Sequence, residues 1–381
     1  MNVADFDAVR PYSDEEIRAS IPRIVADPKF NAMLDYLFDQ ERKHSILREF
    51  KDVENLNDFQ RVLTVPAVET LMDRTSDGFY TSGFENISKS GNYVFIANHR
   101  DIMLDSSILG LAQLKNGFNV NQSIWGNNLM INQLIIDLGK SNQMITVFRE
   151  GSPKELLFNS QRLSSYMRYS LKQLNNSIWI AQRKGRTKDG CDKTDVTILK
   201  MLSLSCEGDF IKSMAELNIT PITISYEWEP CDAMKVREIY LSQNVTYVKN
   251  IDEDFQSILG GALSQKGRIH LSIGTNINPV IELLNQDQLT HNEALGEMAK
   301  IIDNQIHQNY HLWPSNYLAY DLLNNSTNYS DQYSDETIKL LEKRYVHTTE
   351  IVGQNNEEIR TLFLKLYANP VINKLLVATT S

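Results

Sequence analysis

The stretch NYVFIANHRDIMLDSS, residues 92–107, is the starting point for interpreting this chain. Its first half is a short apolar run rich in β-branched and aromatic residues, which predicts a buried strand over residues 93–99. The strand delivers His99 to its end, and Asp101 and Asp105 follow closely. Three explanations compete: a kinase-type catalytic loop, a His–Asp dyad for acyl transfer, or a plain strand-to-helix turn with polar caps.

The kinase explanation rests on the triplet His-Arg-Asp alone. A kinase catalytic loop needs an asparagine seven residues after the histidine to hold a metal ion, and this chain has Ser106 there. No G-x-G-x-x-G precedes the triplet and no Asp-Phe-Gly follows it. The sequence therefore disfavours a kinase.

The dyad explanation assigns a chemical role to the same residues. A neutral imidazole, with an ordinary pKa of ~6.5, can take the proton of an attacking hydroxyl at cellular pH. A carboxylate partner fixes its tautomer and stabilises the imidazolium that forms. His99 and Asp105 can meet if the chain turns sharply, and Asp101 is the competing partner. Asp101 can instead cap a helix that begins near residue 102, and on this stretch alone the plain turn stays open.

Outward from this stretch, short strands alternate with helices. Further strands are predicted at 121–128, 144–150, 177–183, 219–228 and 267–277, and helices at 108–115, 129–140, 153–175 and 210–218. The alternation predicts an α/β domain over 81–280, between an N-terminal helical region, 1–80, and a C-terminal helical region, 281–381.

Charge is distributed unevenly along the 381 residues. The net charge is −10, which disfavours a general nucleic-acid-binding protein, yet residues 149–200 hold 11 Lys and Arg against 5 Asp and Glu. Arg149 ends one predicted strand, and the run Arg183–Arg186 ends another. Guanidinium groups at neighbouring strand ends suit a phosphate clamp, and Gly185 allows close backbone approach. Ordinary solvated charge is the alternative.

The remaining composition narrows the class of protein. Cys191, Cys206 and Cys231 have no CxxC spacing, which disfavours a disulfide framework or a zinc site and fits a reducing compartment. No signal peptide and no transmembrane helix are predicted. We expect a cytoplasmic protein, or one associated with the inner face of the membrane, that needs no metal and no cofactor.

The order of these segments resembles the glycerolipid acyltransferase family, with its PlsC-type phosphate acyltransferase domain. That family has four sequence blocks, and the resemblance covers about residues 90–230. The matching residues are Asn98, His99 and Asp105 in the first block, Phe148 and Arg149 in the second, Lys184, Gly185 and Arg186 in the third, and Pro221 within ITPITISYE in the fourth.

The resemblance implies a mixed central sheet flanked by helices and an O-acyltransferase activity. The acyl donor would be acyl-CoA or acyl-carrier protein, and the acceptor a glycerol phosphate or lysophospholipid. His99 would be the general base and Asp105 its partner. Arg149 and Arg186 would bind the acceptor phosphate beside Lys184 and Gly185.

Two departures from the family pattern are visible. Five residues separate His99 from Asp105, where the family has four, which predicts a one-residue insertion in the turn. Lys184 stands where the family usually has Glu, which strengthens an anion site and removes a carboxylate acceptor for a substrate hydroxyl. The alternative to an enzyme is a non-catalytic, peripheral membrane protein that binds acyl chains or phospholipids on the same fold.

Overall fold

The computed structural model describes residues 3–244, 253–284 and 289–380. A seven-stranded sheet lies at its centre, with the strand order β1-β7-β6-β2-β5-β3-β4. The strands are β1 (Gly78–Ser82), β2 (Val94–Ala97), β3 (Gln122–Gly126), β4 (Met144–Val147), β5 (Ile178–Ala181), β6 (Ile219–Tyr226) and β7 (Arg268–Ile273). The predicted strands of the α/β domain are confirmed.

The sheet is mixed, as the predicted fold class requires. β6 and β7 pair antiparallel, and every other neighbouring pair is parallel. The carboxyl ends of β2, β3, β4, β5 and β6 therefore lie along one edge of the sheet. Ligands of open α/β sheets bind beyond this edge.

Helices cover both faces of the sheet and extend from both ends of the chain. The N-terminal helices are α1 (Asp14–Ala26), α2 (Pro28–Leu37), α3 (Gln40–Glu49), α4 (Leu56–Phe59) and α5 (Val65–Thr75). Those between the strands are α6 (Leu104–Lys115), α7 (Gln133–Ser141), α8 (Pro153–Gln173), α9 (Val196–Ser203), α10 (Phe210–Ala215), α11 (Asp232–Asn244) and α12 (Glu253–Leu263). The C-terminal helices are α13 (Asn278–Leu283), α14 (His291–Asn309), α15 (Pro314–Asn324), α16 (Asp335–Val352) and α17 (Glu357–Thr380).

Strand β2 shows why the sheet is covered on both faces. All four of its side chains are buried. Phe95 and Ala97 join the apolar cluster formed with the N-terminal helices, and Val94 and Ile96 join a second cluster on the opposite face. A strand buried on both faces is a continuous apolar run, which is what the sequence shows here. A third cluster, around Phe363 and Tyr367, lies under the C-terminal helices.

The main difference from the sequence prediction is strand β1. Residues 78–82 read GFYTS, begin with a glycine at φ +155° and are largely exposed, so they lack the apolar run that marks the other strands. β1 is recognisable only through its parallel pairing with β7, almost two hundred residues later. The domain boundaries at 80 and 280 stay predictions. None of the described helices combines the length and the apolar character needed to cross a membrane.

Candidate active site

His99 lies immediately beyond the carboxyl end of β2, and its imidazole contacts Asp105. The distance from His99 Nδ1 to Asp105 Oδ2 is 2.9 Å. Because a carboxylate accepts at Nδ1, that nitrogen carries the hydrogen, and Nε2 is left as the basic nitrogen. Nε2 makes no hydrogen bond within the described residues, and the side chain stays 12% exposed. The imidazole meets the Trp179 ring edge-on, with the ring centroids 5.7 Å apart.

Asp105 is held by donors on both of its oxygens. It lies in the first turn of α6 and is fully buried. Besides His99, Oδ2 accepts the backbone N–H groups of Arg100 at 2.7 Å and Asp101 at 2.9 Å. Oδ1 accepts the hydroxyl of Tyr226 at 2.9 Å. A buried carboxylate is stable only when such hydrogen-bond donors replace water. The same donors hold Asp105 in contact with the imidazole.

Asp101 caps the helix rather than contacting the imidazole. Its Oδ1 accepts the backbone N–H groups of Met103 at 2.9 Å and Leu104 at 2.8 Å, at the start of α6. Burial and the nearby Asp105 charge raise the pKa of Asp101. The extra residue between His99 and Asp105 therefore lies in a capped turn that still lets the pair meet. Asp101 therefore forms the polar cap and Asp105 contacts the imidazole, while a catalytic role for the His99–Asp105 pair stays a prediction.

Arg100, the middle residue of the His-Arg-Asp triplet, is a buried structural cation. Its guanidinium forms ion pairs with Asp192 and with Glu229, the latter at 3.0 Å. Lys235 pairs with Glu229 and donates from Nζ to the Arg100 carbonyl at 2.6 Å. Asn98 donates from Nδ2 to Asp192 at 3.3 Å, so the residues on both sides of His99 are tied to one charged network. A buried charge is tolerated only with such partners.

Arg149 lies two residues past β4 at the same edge of the sheet, half-buried. Its backbone N–H donates to Asn127 Oδ1 at 3.1 Å. Its guanidinium lies over Gly126, because a Cβ placed there would come within 2.8 Å of Arg149 Cζ. Burial lowers the pKa of Arg149, and the charge of Asp254 partly offsets this effect. The guanidinium makes no ion pair or hydrogen bond with another described side chain, which is the state of a cation available to an anionic ligand.

The residues predicted for the third block, Lys184, Gly185 and Arg186, differ in their exposure to solvent at this edge of the sheet. Lys184 is exposed, and Gly185 has φ +74° with open space around it. Arg186 is only 5% exposed. Burial raises the pKa of both Asp101 and Cys231, and the nearby Arg186 charge partly offsets this rise. The structure thus turns Arg186 toward the inner side of the His99 loop, away from solvent. The next residue, Thr187, donates its N–H to the His99 carbonyl at 2.7 Å and joins the two turns.

Comparisons with known proteins find a distant structural similarity and no similar sequence. No protein-family model matches the sequence, and the comparison with curated proteins finds no match. Among solved structures, the chain is similar to the 1-acyl-sn-glycerophosphate (LPA) acyltransferase PlsC from Thermotoga maritima. The identity is 13%, the TM-score is 0.33, and the match covers 75% of this chain and 94% of that chain. A likeness of this size assigns no activity to the chain.

The sequence prediction missed several residues that shape the site. Tyr226, Arg100 and Gly126 each act through a contact with a distant segment, and no local pattern marks Tyr226 or Arg100. Gly126 has a local signal, a glycine at the end of an otherwise β-prone run. The three cysteines are free, and within the described ranges no three His, Cys, Asp or Glu side chains are grouped to hold a metal ion.

Proposed function

We propose that this protein is an O-acyltransferase that moves a fatty acyl group from a thioester to the hydroxyl of a phosphorylated, glycerol-like lipid acceptor. The observation that carries the proposal is the 2.9 Å contact between His99 Nδ1 and Asp105, with Nε2 free of hydrogen-bond partners among the residues that the structure describes. Binding alone needs no such base. The desolvated Arg149 at the same edge supports a phosphate-bearing acceptor.

The chemistry follows from the tautomer that Asp105 selects. His99 Nε2 takes the proton of the acceptor hydroxyl as its oxygen attacks the thioester carbonyl. The carbon–sulfur bond then breaks, and the imidazolium returns the proton to the departing thiolate. Asp105 stabilises the imidazolium in between. No covalent bond to the enzyme forms in this scheme.

Arg149 and Lys184 are the proposed contacts of the acceptor phosphate. Strands lie ~4.8 Å apart, so the ends of β2 and β4, three strands apart, are separated by roughly 14 Å. The Arg149 guanidinium reaches inward over Gly126, which shortens the gap that a glycerol phosphate must bridge. Arg186 adds positive charge from the inner side of the His99 loop, where it also offsets the buried Asp101.

The test is free-thiol release from a long-chain acyl-CoA or an acyl-carrier protein. It is measured with glycerol 3-phosphate, lysophosphatidic acid, other lysolipids or no acceptor. We expect release that depends on the acceptor and falls roughly 10²–10⁴-fold in His99→Ala, the usual effect of losing a general base. His347→Ala, which removes an exposed histidine from α16, is the matched control and should keep full activity.

The acceptor site is tested separately from the base. Arg149→Gln should raise the KM for a phosphorylated acceptor roughly tenfold or more, with a smaller effect on kcat, because a charged hydrogen bond to the phosphate is lost. Activity that survives in His99→Ala would disprove the mechanism. Release without any acceptor would indicate a thioester hydrolase, and no release with either donor would favour the lipid-binding alternative.

A further inference from the structure

The first half of α8 projects from the sheet edge that carries Arg149. All the buried side chains of this helix lie in its second half, from Leu163 onward. The first nine residues, 153–161, rise about 14 Å at ~1.5 Å per residue with no buried side chain of their own. The helix begins four residues after Arg149, so this projecting segment flanks the proposed phosphate contact.

Large apolar side chains are exposed on this segment. Leu157 is 52% exposed and Phe158 is 56% exposed. Single exposed apolar residues are ordinary, but an adjacent Leu–Phe pair on a projecting helix segment is a larger exposed apolar surface. We call Leu157 and Phe158 the apolar rim.

Basic side chains accompany the apolar rim. The Arg162 guanidinium lies over the Phe158 ring, 4.6 Å from its centroid, and Lys154 is exposed one turn before Phe158. Two acidic residues nearby, Glu150 and Glu155, are also exposed, and Glu155 accepts the Ser152 N–H at 2.8 Å as part of the helix cap. Residues 149–162 hold three Lys and Arg against two Asp and Glu, so this edge carries a small positive charge in a chain of net charge −10.

We propose that the apolar rim and its basic neighbours dock on the surface of a membrane that contains anionic lipid. An amphipathic helix with Phe and Leu on one side and Lys and Arg beside them is the arrangement that inserts shallowly into such an interface. The acidic remainder of the chain is repelled by the same surface, which orients the Arg149 edge toward the lipid. The inference rests on the proposed function, because a lipid acceptor would reach Arg149 and His99 from this side.

A second exposed apolar pair provides the matched control. Leu375 and Leu376, on α17, are 43% and 60% exposed, close to the values for Leu157 and Phe158. The neighbouring cation, Lys374, turns inward and donates to the Tyr310 carbonyl at 3.0 Å, so its charge is not presented beside this pair. Replacing either pair by serine removes a similar apolar area.

The experiment is co-sedimentation of the full chain with vesicles of phosphatidylcholine alone or mixed with phosphatidylglycerol in equal parts. We expect binding to the mixed vesicles that weakens with added salt. Binding should fall at least about tenfold when Leu157→Ser and Phe158→Ser are combined, and stay unchanged when Leu375→Ser and Leu376→Ser are combined. No vesicle binding, or an equal loss in both double variants, would overturn the inference. A change in oligomeric state with no change in vesicle binding would also overturn it, by indicating a second copy of this chain as the occupant.

His99→Ala separates this inference from the proposed function. The variant should bind mixed vesicles like the unsubstituted chain, because the apolar rim is intact. Vesicle binding by the unsubstituted chain without any turnover would contradict the acyltransferase proposal and leave the docking surface standing. Turnover of a water-soluble acceptor without vesicle binding would support the acyltransferase proposal and contradict the docking surface.

Discussion

Tyr226 is a residue that can tune the His99–Asp105 pair without contacting a substrate. It is the sole described donor to Asp105 Oδ1, while the other three donors reach Oδ2. Burial and the Asp105 charge raise the pKa of Tyr226 well above its ordinary value. Because the protonated form is favoured, the hydroxyl keeps donating through neutral and mildly alkaline pH.

We therefore expect Tyr226→Phe to lower kcat by several-fold, up to about tenfold, since one hydrogen bond of about 1–1.5 kcal/mol is lost. The deficit should be constant from about pH 6 to pH 9, because the tyrosine does not titrate in that range. Asp105→Asn should lower kcat by about 10³–10⁴ instead, as the amide can favour the wrong imidazole tautomer. Steady-state kinetics across this range check both results, and an equal loss in the two variants would contradict the assignment.

At the scale of elements, α12 packs against the turn that follows His99. Two adjacent glycines of α12 differ in how closely they approach neighbouring side chains. A Cβ at Gly261 would lie 1.8 Å from Asp101 Oδ2, an impossible distance, whereas a Cβ at Gly260 would lie 3.4 Å from Cys231 Sγ. Gly261→Ala should destabilise the fold by about 1–3 kcal/mol, because Asp101 also caps α6 and cannot move freely. Gly260→Ala should be neutral or stabilise it by up to about 1 kcal/mol, since alanine favours helix. Urea unfolding of the two variants measures the difference, and similar midpoints would refute this packing.

These elements also show what a sequence can and cannot predict. The strands from β2 to β7 and the helix at 153–175 are readable because each carries its own period, and α8 adds a capping serine and Pro153. His99 and Asp105 are readable as a pair because they lie six residues apart. The contact between Gly261 and Asp101 joins residues 160 positions apart, so it depends on tertiary packing that no local pattern encodes. The same holds for Arg186, whose inward direction is decided by buried charges on other segments.

At the scale of the whole molecule, the C-terminal helices reach the His99 turn through charged groups. Arg344 on α16 donates from Nη2 to the Glu229 carbonyl at 3.0 Å and pairs through Nε with Asp232 at 2.7 Å. The Tyr367 hydroxyl on α17 also donates to Asp232 at 2.7 Å. Glu229 in turn pairs with Arg100, next to His99. The C-terminal region is therefore joined to the candidate site by contiguous contacts.

This connection predicts how stability and activity depend on Arg344. Arg344→Met should destabilise the fold by about 3–5 kcal/mol, because it leaves the buried Asp232 without its cation. Adding Asp232→Asn should restore a large part of that loss, since the uncompensated charge is removed. Lys300→Met, which breaks an exposed pair with Glu297, should change stability by less than about 1 kcal/mol. Denaturant unfolding of the unsubstituted chain, Arg344→Met, Asp232→Asn and the double variant gives the coupling energy, and additive effects at Arg344 and Asp232 would show that the pair does not join the two regions. If the contacts also hold the His99 turn, thiol release by the folded Arg344→Met protein should fall while that of Lys300→Met stays unchanged.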